Sequence, residues 1–328
     1  MNIGFEAIKN IVKGVAYTEE KDGLLCLHRF TKAQEEMYKP YNTDFYKKTF
    51  GTAGVRLEFL TDSSALSLSA SVSPASSRKF FSFDVYVNGS LVKTAMGDMP
   101  KEIADFEFEA ELGKGDKKVA VYFPWSAAAK IRSFSLDEGS VATPVSKPHT
   151  MISFGDSITH GYDAKNPSFS YASRLADALS AEAVNKGIGG EVFYPTLATL
   201  KDEITPDYIT VAYGTNDWYF CKDAETFDKN CKDFYENLSA SYPTSKIFAI
   251  TPIWRGDWQK AENHFAPFEH IRETIRRVAS SLPNVTLIEG FDLIPHDKSC
   301  FSPDVLHPND DGFKHYANNL YAEIKKYI

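Results

Sequence analysis

Cysteine is scarce and scattered. Four occur in 328 residues, Cys26, Cys221, Cys231 and Cys300, with no CxxC pair and no zinc-like spacing. That argues against a disulfide-built scaffold and against a structural zinc site. Cys231 shares an apolar helical stripe with Phe227, Phe234 and Leu238, so buried free thiols are expected. No apolar run approaches the ~20 residues of a membrane span. No long Lys/Arg run occurs and the formal net charge is -8, so neither a nucleic-acid surface nor a membrane partner is expected. Charges interrupt the apolar residues between Met1 and Lys13, unlike a signal peptide. The expected location is cytoplasmic, or secreted if a leader once preceded Met1. Internal repeats and low-complexity tracts are missing too.

What is present is ordinary globular composition, 43% hydrophobic and 24% charged, in a chain longer than one average domain. The hydrophobic period changes near residue 140. Before it, short segments alternate with period two, as half-buried strands do. Ala65–Val72, Phe81–Val87 and the run from Asp105 to Leu112 are such segments. Asn88-Gly89 is a hairpin-turn signal, and Gly113-Lys114-Gly115-Asp116 turns the chain into Val119–Phe123. Few helical stripes interrupt them, so residues 1–140 are expected to form an all-β sandwich of jelly-roll type. Residues 141–149, with Pro144 and Pro148, read as a linker.

From residue 150 to 328, apolar strands alternate with amphipathic helices. The strands are Met151–Phe154, Tyr208–Tyr213, Ile247–Thr251 and Val285–Ile288. The helical stripes are Tyr171/Leu175/Leu179, Ile271/Ile275/Val278/Leu282 and Phe313/Tyr316/Leu320/Ile324. This alternation predicts an α/β domain with a parallel sheet covered on both faces. Ligands bind such sheets beyond the carboxyl ends of the strands.

Four short blocks lie at those ends. Gly155-Asp156-Ser157-Ile158 places a serine hydroxyl at the exit of a buried strand. Asn185–Gly190, Gly214-Thr215-Asn216-Asp217 and Asp304-Val305-Leu306-His307 follow in order. A serine hydroxyl needs a base to take its proton, and the base needs a group to orient it. His307 suits the first role and Asp304, three residues before it, the second. Developing negative charge needs preorganised donors; the candidates are the backbone N–H of Ser157, the backbone N–H of Gly190 and the side-chain amide of Asn216. Asp156 reads as a brace of the serine turn, and His160 as a loop residue near the pocket.

In these blocks the chain resembles the SGNH hydrolases, the GDSL esterase/lipase superfamily, over roughly residues 150–328. The resemblance implies a flavodoxin-like α/β/α sandwich. It also implies nucleophile Ser157, glycine donor Gly190 (with Gly189 as the other register), asparagine donor Asn216, acid–base pair Asp304 and His307, and no cofactor. A β-sandwich ahead of such a domain is similar to two-domain bacterial carbohydrate esterases, which remove acetyl groups from sugars. Val55–Phe59 and Pro124-Trp125 carry that second likeness.

Asp304 and His307 with Asp310 and Asp311 offer a rival metal-binding use, but no second histidine stands at ligand spacing and the last two suit a helix start. No metal is expected. Trp218, Tyr219, Trp254 and Trp258 follow predicted strands and, with Phe193 and Tyr194, are candidates for an aromatic rim that stacks on a sugar. The expected activity is serine esterase action on short-chain acyl, in particular acetyl, esters of carbohydrates. The alternatives are a lipase or thioesterase of broader acyl preference, and a carbohydrate-binding protein whose sandwich is the main functional unit. The pattern carries no signal of oligomeric state.

Overall fold

A computed structural model describes residues 1–328, the side chain of Asn263 excepted. Two antiparallel sheets face each other in the N-terminal part. One runs in the spatial order Tyr17–Lys21, Leu24–His28, Ala127–Leu136, Ala65–Pro74, Ala104–Glu111; the other runs Val12–Lys13, Arg56–Thr61, Lys117–Tyr122, Phe80–Val87, Ser90–Asp98. The alternation seen in the sequence is the inward and outward alternation of these strands. Leu66, Leu68, Ala70 and Val72 meet Phe81, Phe83, Val85, Val119 and Val121 in one apolar core. Asn88 and Gly89 both take positive φ between the paired strands Phe80–Val87 and Ser90–Asp98, as a tight hairpin turn requires.

The C-terminal part is built on a parallel sheet in the order Ala181–Gly187, His149–Gly155, Tyr208–Ala212, Lys246–Ile250, Val285–Ile288. Its strands are buried on both faces, so successive residues feed different cores. Met151, Phe248 and Ile250 pack with Leu175, Phe313, Tyr316 and Leu320 of the helices Tyr171–Ala178 and Asp310–Ile324. Ile152, Phe154, Ile247 and Ala249 pack on the opposite side with Phe234, Leu238, Ile271 and Ile275 of the helices Ala224–Ser241 and Phe268–Ala279. The second strand of this sheet lies outside the first, and the third lies on the first strand's other side. A crevice therefore opens between the ends of the first and third strands, where the strand order reverses. No described helix is long and apolar enough to cross a membrane, and all four cysteines are free.

Three features depart from the sequence reading. The strand Ala181–Gly187 was not anticipated, because it carries Asn185 and Lys186 where a buried strand should be apolar; Lys186 is fully buried and pairs with Asp202 at 2.6 Å. The segment 141–149 is more than a linker: Thr143–Pro144 pairs with Phe59 and Leu60, and the first parallel strand already begins at His149. The N-terminal part also contains helices Phe5–Ile11, Lys32–Tyr41 and Thr43–Thr49. Thr31 and Gln34 form a capping box that starts the second of these. Its Tyr38, with Phe30 before it, is buried in the core of the parallel sheet, which explains why no separate stripe marked the helix.

The two parts share buried polar contacts. Arg56 of the sandwich reaches Asp177 at 2.8 Å. Asp84, wholly buried, accepts hydrogen bonds from the Asn166 amide at 2.6 Å and the Ser168 hydroxyl at 2.5 Å. Trp125 is buried against Tyr162, and its indole N–H donates to the Ala164 carbonyl at 2.9 Å. Trp125→Ala is expected to lower the free energy of unfolding by about 3–5 kcal/mol, as a fully buried aromatic does, measured by urea denaturation.

Candidate active site

The strand His149–Gly155 ends in a turn that leaves no room at position 155. A Cβ there would lie 2.0 Å from the Thr159 hydroxyl and 2.9 Å from the Ala212 carbonyl. The chain then enters the short helix Ser157–His160. Its N-cap, Asp156, accepts the Ile158 N–H at 2.9 Å. Burial pushes the Asp156 carboxyl up to about 6. Ser157 itself is 6% exposed at the floor of the crevice.

His307 arrives from a loop 150 residues away. Its Nε2 lies 2.8 Å from Ser157 Oγ, and its Nδ1 lies 2.6 Å from Asp304 Oδ2. Partial burial works to raise the Asp304 carboxyl, but it is held well below the usual carboxylate range by the His307 ring and by the backbone N–H groups of His307 and Leu306. The loop is closed by backbone hydrogen bonds from Ser302 N–H to His307 O and from Val305 N–H to Ser302 O, both 2.8 Å. Val305 sits at φ 51°, a region that a β-branched residue enters at a cost of order 1–3 kcal/mol. The Gly256 N–H helps hold it there by donating to Val305 O at 2.9 Å, and a Cβ on Gly256 would lie 2.5 Å from Val305 Cγ1.

Gly190 and Asn216 follow the second and third parallel strands, on neighbouring loops. Gly190 takes φ 94°, which disfavours any side chain, and the Phe45 ring lies 3.4 Å from where its Cβ would be. Asn216 follows the third parallel strand and donates from Nδ2 to the Glu191 carbonyl at 3.0 Å. Asp217 staples the two loops together: one carboxylate oxygen accepts the Phe193 N–H at 2.9 Å and the other the Gly214 N–H at 3.0 Å. Burial pushes its carboxyl up to about 7. Arg255 ties in the neighbouring loop by donating to the Thr215 carbonyl at 3.0 Å.

The structure thus joins Ser157, His307 and Asp304 in one hydrogen-bonded series and links the loops of Gly190 and Asn216 to each other through the Glu191 carbonyl. It disperses the expected aromatic rim. Trp218 is completely buried, stacked on His264 at 3.6 Å and donating to the Ala266 carbonyl at 2.8 Å. Phe193 is equally buried, packed among Tyr213, Phe234 and Tyr235. Neither offers a ring face to a ligand, because the strand ends that carry them turn inward to the core. Tyr194 stacks on Tyr41 at 3.9 Å, Trp254 on His296 at 5.6 Å, and Trp258 meets Phe291 edge-on at 5.3 Å. All three are half-buried. Tyr219 remains open at 63% exposure, beside the equally exposed Phe220. His160 is a buried helical residue rather than a loop residue; its Nε2 lies 2.9 Å from the Trp125 carbonyl.

Sequence reasoning missed a second carboxylate beside the histidine. Asp163 Oδ2 lies 3.8 Å from His307 Nδ1. Asp163 is held by Arg78 of the sandwich, at 2.5 Å from Nε and 2.9 Å from a terminal nitrogen. Asp163, Asp304 and His307 could together offer three ligand atoms to a cation, but His307 Nδ1 is already engaged by Asp304. Only the nearness of Asp163 to Ser157 in the chain hinted at its place; nothing in the sequence pointed to Arg78. Asp217→Asn is expected to set an amide donor against one of the two N–H groups. It should cost about 1–3 kcal/mol in urea unfolding and lower the rate of ester hydrolysis measured alongside.

The model of the GDSL-like lipase/acylhydrolase family matches residues 153–315. A comparison with curated protein sequences gives no match. Among solved structures, a salicylyl-acyltransferase from a tetracycline biosynthetic pathway superposes with a TM-score of 0.84 at 22% identity, covering 96% of this chain and 94% of that one. A family two carbohydrate esterase from Clostridium thermocellum, solved with cellohexaose, superposes at 0.66 with 18% identity over 84% of this chain and 93% of that one. An acetyl xylan esterase from the rumen bacterium Butyrivibrio proteoclasticus gives 0.64 at 16% identity over 97% and 95%. At these identities the solved structures share the fold with this chain.

Proposed function

From the membership of the C-terminal domain in the GDSL-like lipase/acylhydrolase family, which makes the chain a carboxylic ester hydrolase, we propose that it removes short acyl groups, above all acetyl, from carbohydrate esters through a covalent acyl-enzyme. The observation that carries this reading is the continuous hydrogen-bonded series from Ser157 Oγ through His307 to Asp304, with separations of 2.8 and 2.6 Å.

In this mechanism His307 Nε2 takes the Ser157 proton as Oγ attacks the ester carbonyl. Asp304 keeps the ring oriented and offsets the charge it gains. The oxyanion is met by the N–H groups of Ser157 and Gly190 and by the Asn216 amide. The tetrahedral adduct collapses, and the leaving alcohol takes the proton from His307. Water, deprotonated by the same nitrogen, then releases the acid from Ser157. A second alcohol can take the place of water at that step, and the overall likeness to an acyltransferase favours testing it.

The carbohydrate half of the reading is supported by the two esterases whose folds cover both parts of this chain, and by the open Tyr219 ring three residues after Asn216. We read residues 1–140 as a jelly-roll domain and 150–328 as the catalytic domain. The spatial orders 24–28, 127–136, 65–74, 104–111 and 56–61, 117–122, 80–87, 90–98 support the jelly-roll connection. Arg78, reaching Asp163 from between two sandwich strands, supports a role for the sandwich in shaping the site wall.

A panel of aryl acetate, butyrate and octanoate with acetylated oligosaccharides tests the proposal. Acetyl esters should react fastest, and a clear preference for octanoate would favour a lipase or thioesterase instead. Sugar binding by the protein with no hydrolysis of any ester would point to a binding module. Ser157→Ala should abolish turnover, and Asn216→Ala should lower kcat by about 10²–10³, roughly 3 kcal/mol. Tyr219→Ala should reduce kcat/KM on the oligosaccharide while leaving aryl acetate unchanged; an equal effect on both would remove the stacking role.

A further inference from the structure

The segment from Asn185, near the end of the strand Ala181–Gly187, to Glu191 carries Gly190 and is held at alternate residues by the N-terminal part. Arg29, completely buried, donates to the Asn185 carbonyl and, at 3.2 Å, to the Gly187 carbonyl. Lys48 Nζ donates to the Gly189 carbonyl at 2.8 Å. Tyr38, in the helix Lys32–Tyr41, donates its hydroxyl to Glu191 Oε1. The other carboxyl oxygen of Glu191 accepts the Tyr213 hydroxyl at 3.0 Å, from the end of the third parallel strand. The Glu191 main-chain carbonyl in turn accepts the Asn216 amide. A carboxyl group sealed from solvent is costly unless its oxygens are bonded, and both oxygens of Glu191 are.

We propose that Glu191 is a positioning residue for the oxyanion hole: clamped between Tyr38 and Tyr213, it sets the peptide that carries Gly190 and the orientation of the Asn216 amide. This rests on the reading of Gly190 and Asn216 as oxyanion donors. The Asn216 side chain has two N–H bonds. With one spent on the Glu191 carbonyl, the other is directed by the amide plane. A shift of this peptide therefore moves two of the three donors at once, and such donors act only when aimed at the position the oxyanion takes up. The N-terminal helix thereby tunes a site that it does not line.

Charge sharpens the idea. Burial, reinforced by Asp156 and Asp217, pushes the Glu191 carboxyl up to about 8. The groups facing it are the Tyr38 and Tyr213 phenols, both pushed well above their usual range by burial, together with Tyr41, Asp156, Asp217 and the Arg29 guanidinium. A group with a raised carboxyl value is neutral below it and gains charge as pH rises through it. Below about 8, Glu191 is therefore neutral, and its carboxyl proton takes over one of the two hydrogen bonds, the phenol on that side turning to accept. Above that pH it adds a negative charge behind the place where the oxyanion forms.

The test uses the full chain, aryl acetate as substrate and Ser157→Ala as blank, with kcat and KM followed from neutral to alkaline pH and melting temperatures recorded alongside. Wild-type kcat should fall as pH rises through about 8, and Glu191→Gln, which cannot ionise, should lose that fall. Tyr38→Phe should lower kcat about tenfold with KM little changed. Its effect should shrink in an Asn216→Ala background, since the clamp acts through that amide. An alkaline limb unchanged in Glu191→Gln, or Tyr38→Phe and Asn216→Ala effects that simply multiply, would overturn the inference while leaving the esterase reading intact. A wild type without Ser157-dependent hydrolysis would overturn both.

Discussion

The Arg29 guanidinium lies wholly inside the protein, and its hydrogen bonds all go to backbone carbonyls: those of Lys48 and Gly51 on one side, Asn185 and Gly187 on the other. Removing a charge from water is costly, and burial draws this one down to about 9. What offsets the cost is a set of carbonyl dipoles that are all in place only when the N-terminal helices dock against the second parallel strand. The sandwich, the helices inserted between its strands and the second strand of the parallel sheet are thereby made one packed body, with the Gly190 loop leading directly from the docked strand.

Around that body the polar interior is organised for placement. Asp217, Glu191 and Asp156 are all buried with both function and cost in their hydrogen bonds. Asp156 and Asp217 accept backbone N–H groups beside Ser157 and Asn216, while Glu191, next to Gly190, is held by the Tyr38 and Tyr213 hydroxyls. A pocket lined with apolar residues could hold the same loops in contact, but dispersion has no direction, whereas a carboxylate accepting two named N–H groups fixes both distance and angle.

The third arm of the site is built differently. The loop carrying Asp304 and His307 is half open to solvent and braced by short backbone hydrogen bonds around a strained Val305. Asp163, tethered by Arg78, stands behind it. The contact between Ser157 and His307 thus joins a rigid, buried turn to a more exposed loop. The sandwich reaches that junction through Arg78, which holds Asp163, and through Trp125, which packs on the Tyr162 ring stacked against His307.

The amino-acid order alone was enough for the change from antiparallel to parallel sheet and for the approach of His307 and Asp304 to Ser157. Strand and helix periods are local consequences of which face is buried, and the chemistry of acyl transfer demands particular residue types at strand ends. Elsewhere local pattern was silent or misleading. Lys186 hid a buried strand because its charge is matched by Asp202, sixteen residues on. Tyr38 hid a helix because it packs on a distant domain. Trp218 and Phe193 suggested a sugar-facing rim until their rings proved to be core. Partnership between residues far apart in the chain, as in Arg29, Glu191 and Arg78, was decided only in the folded molecule. A side chain's chemistry is written in its identity, but its direction and its partners depend on which surfaces come together to exclude water.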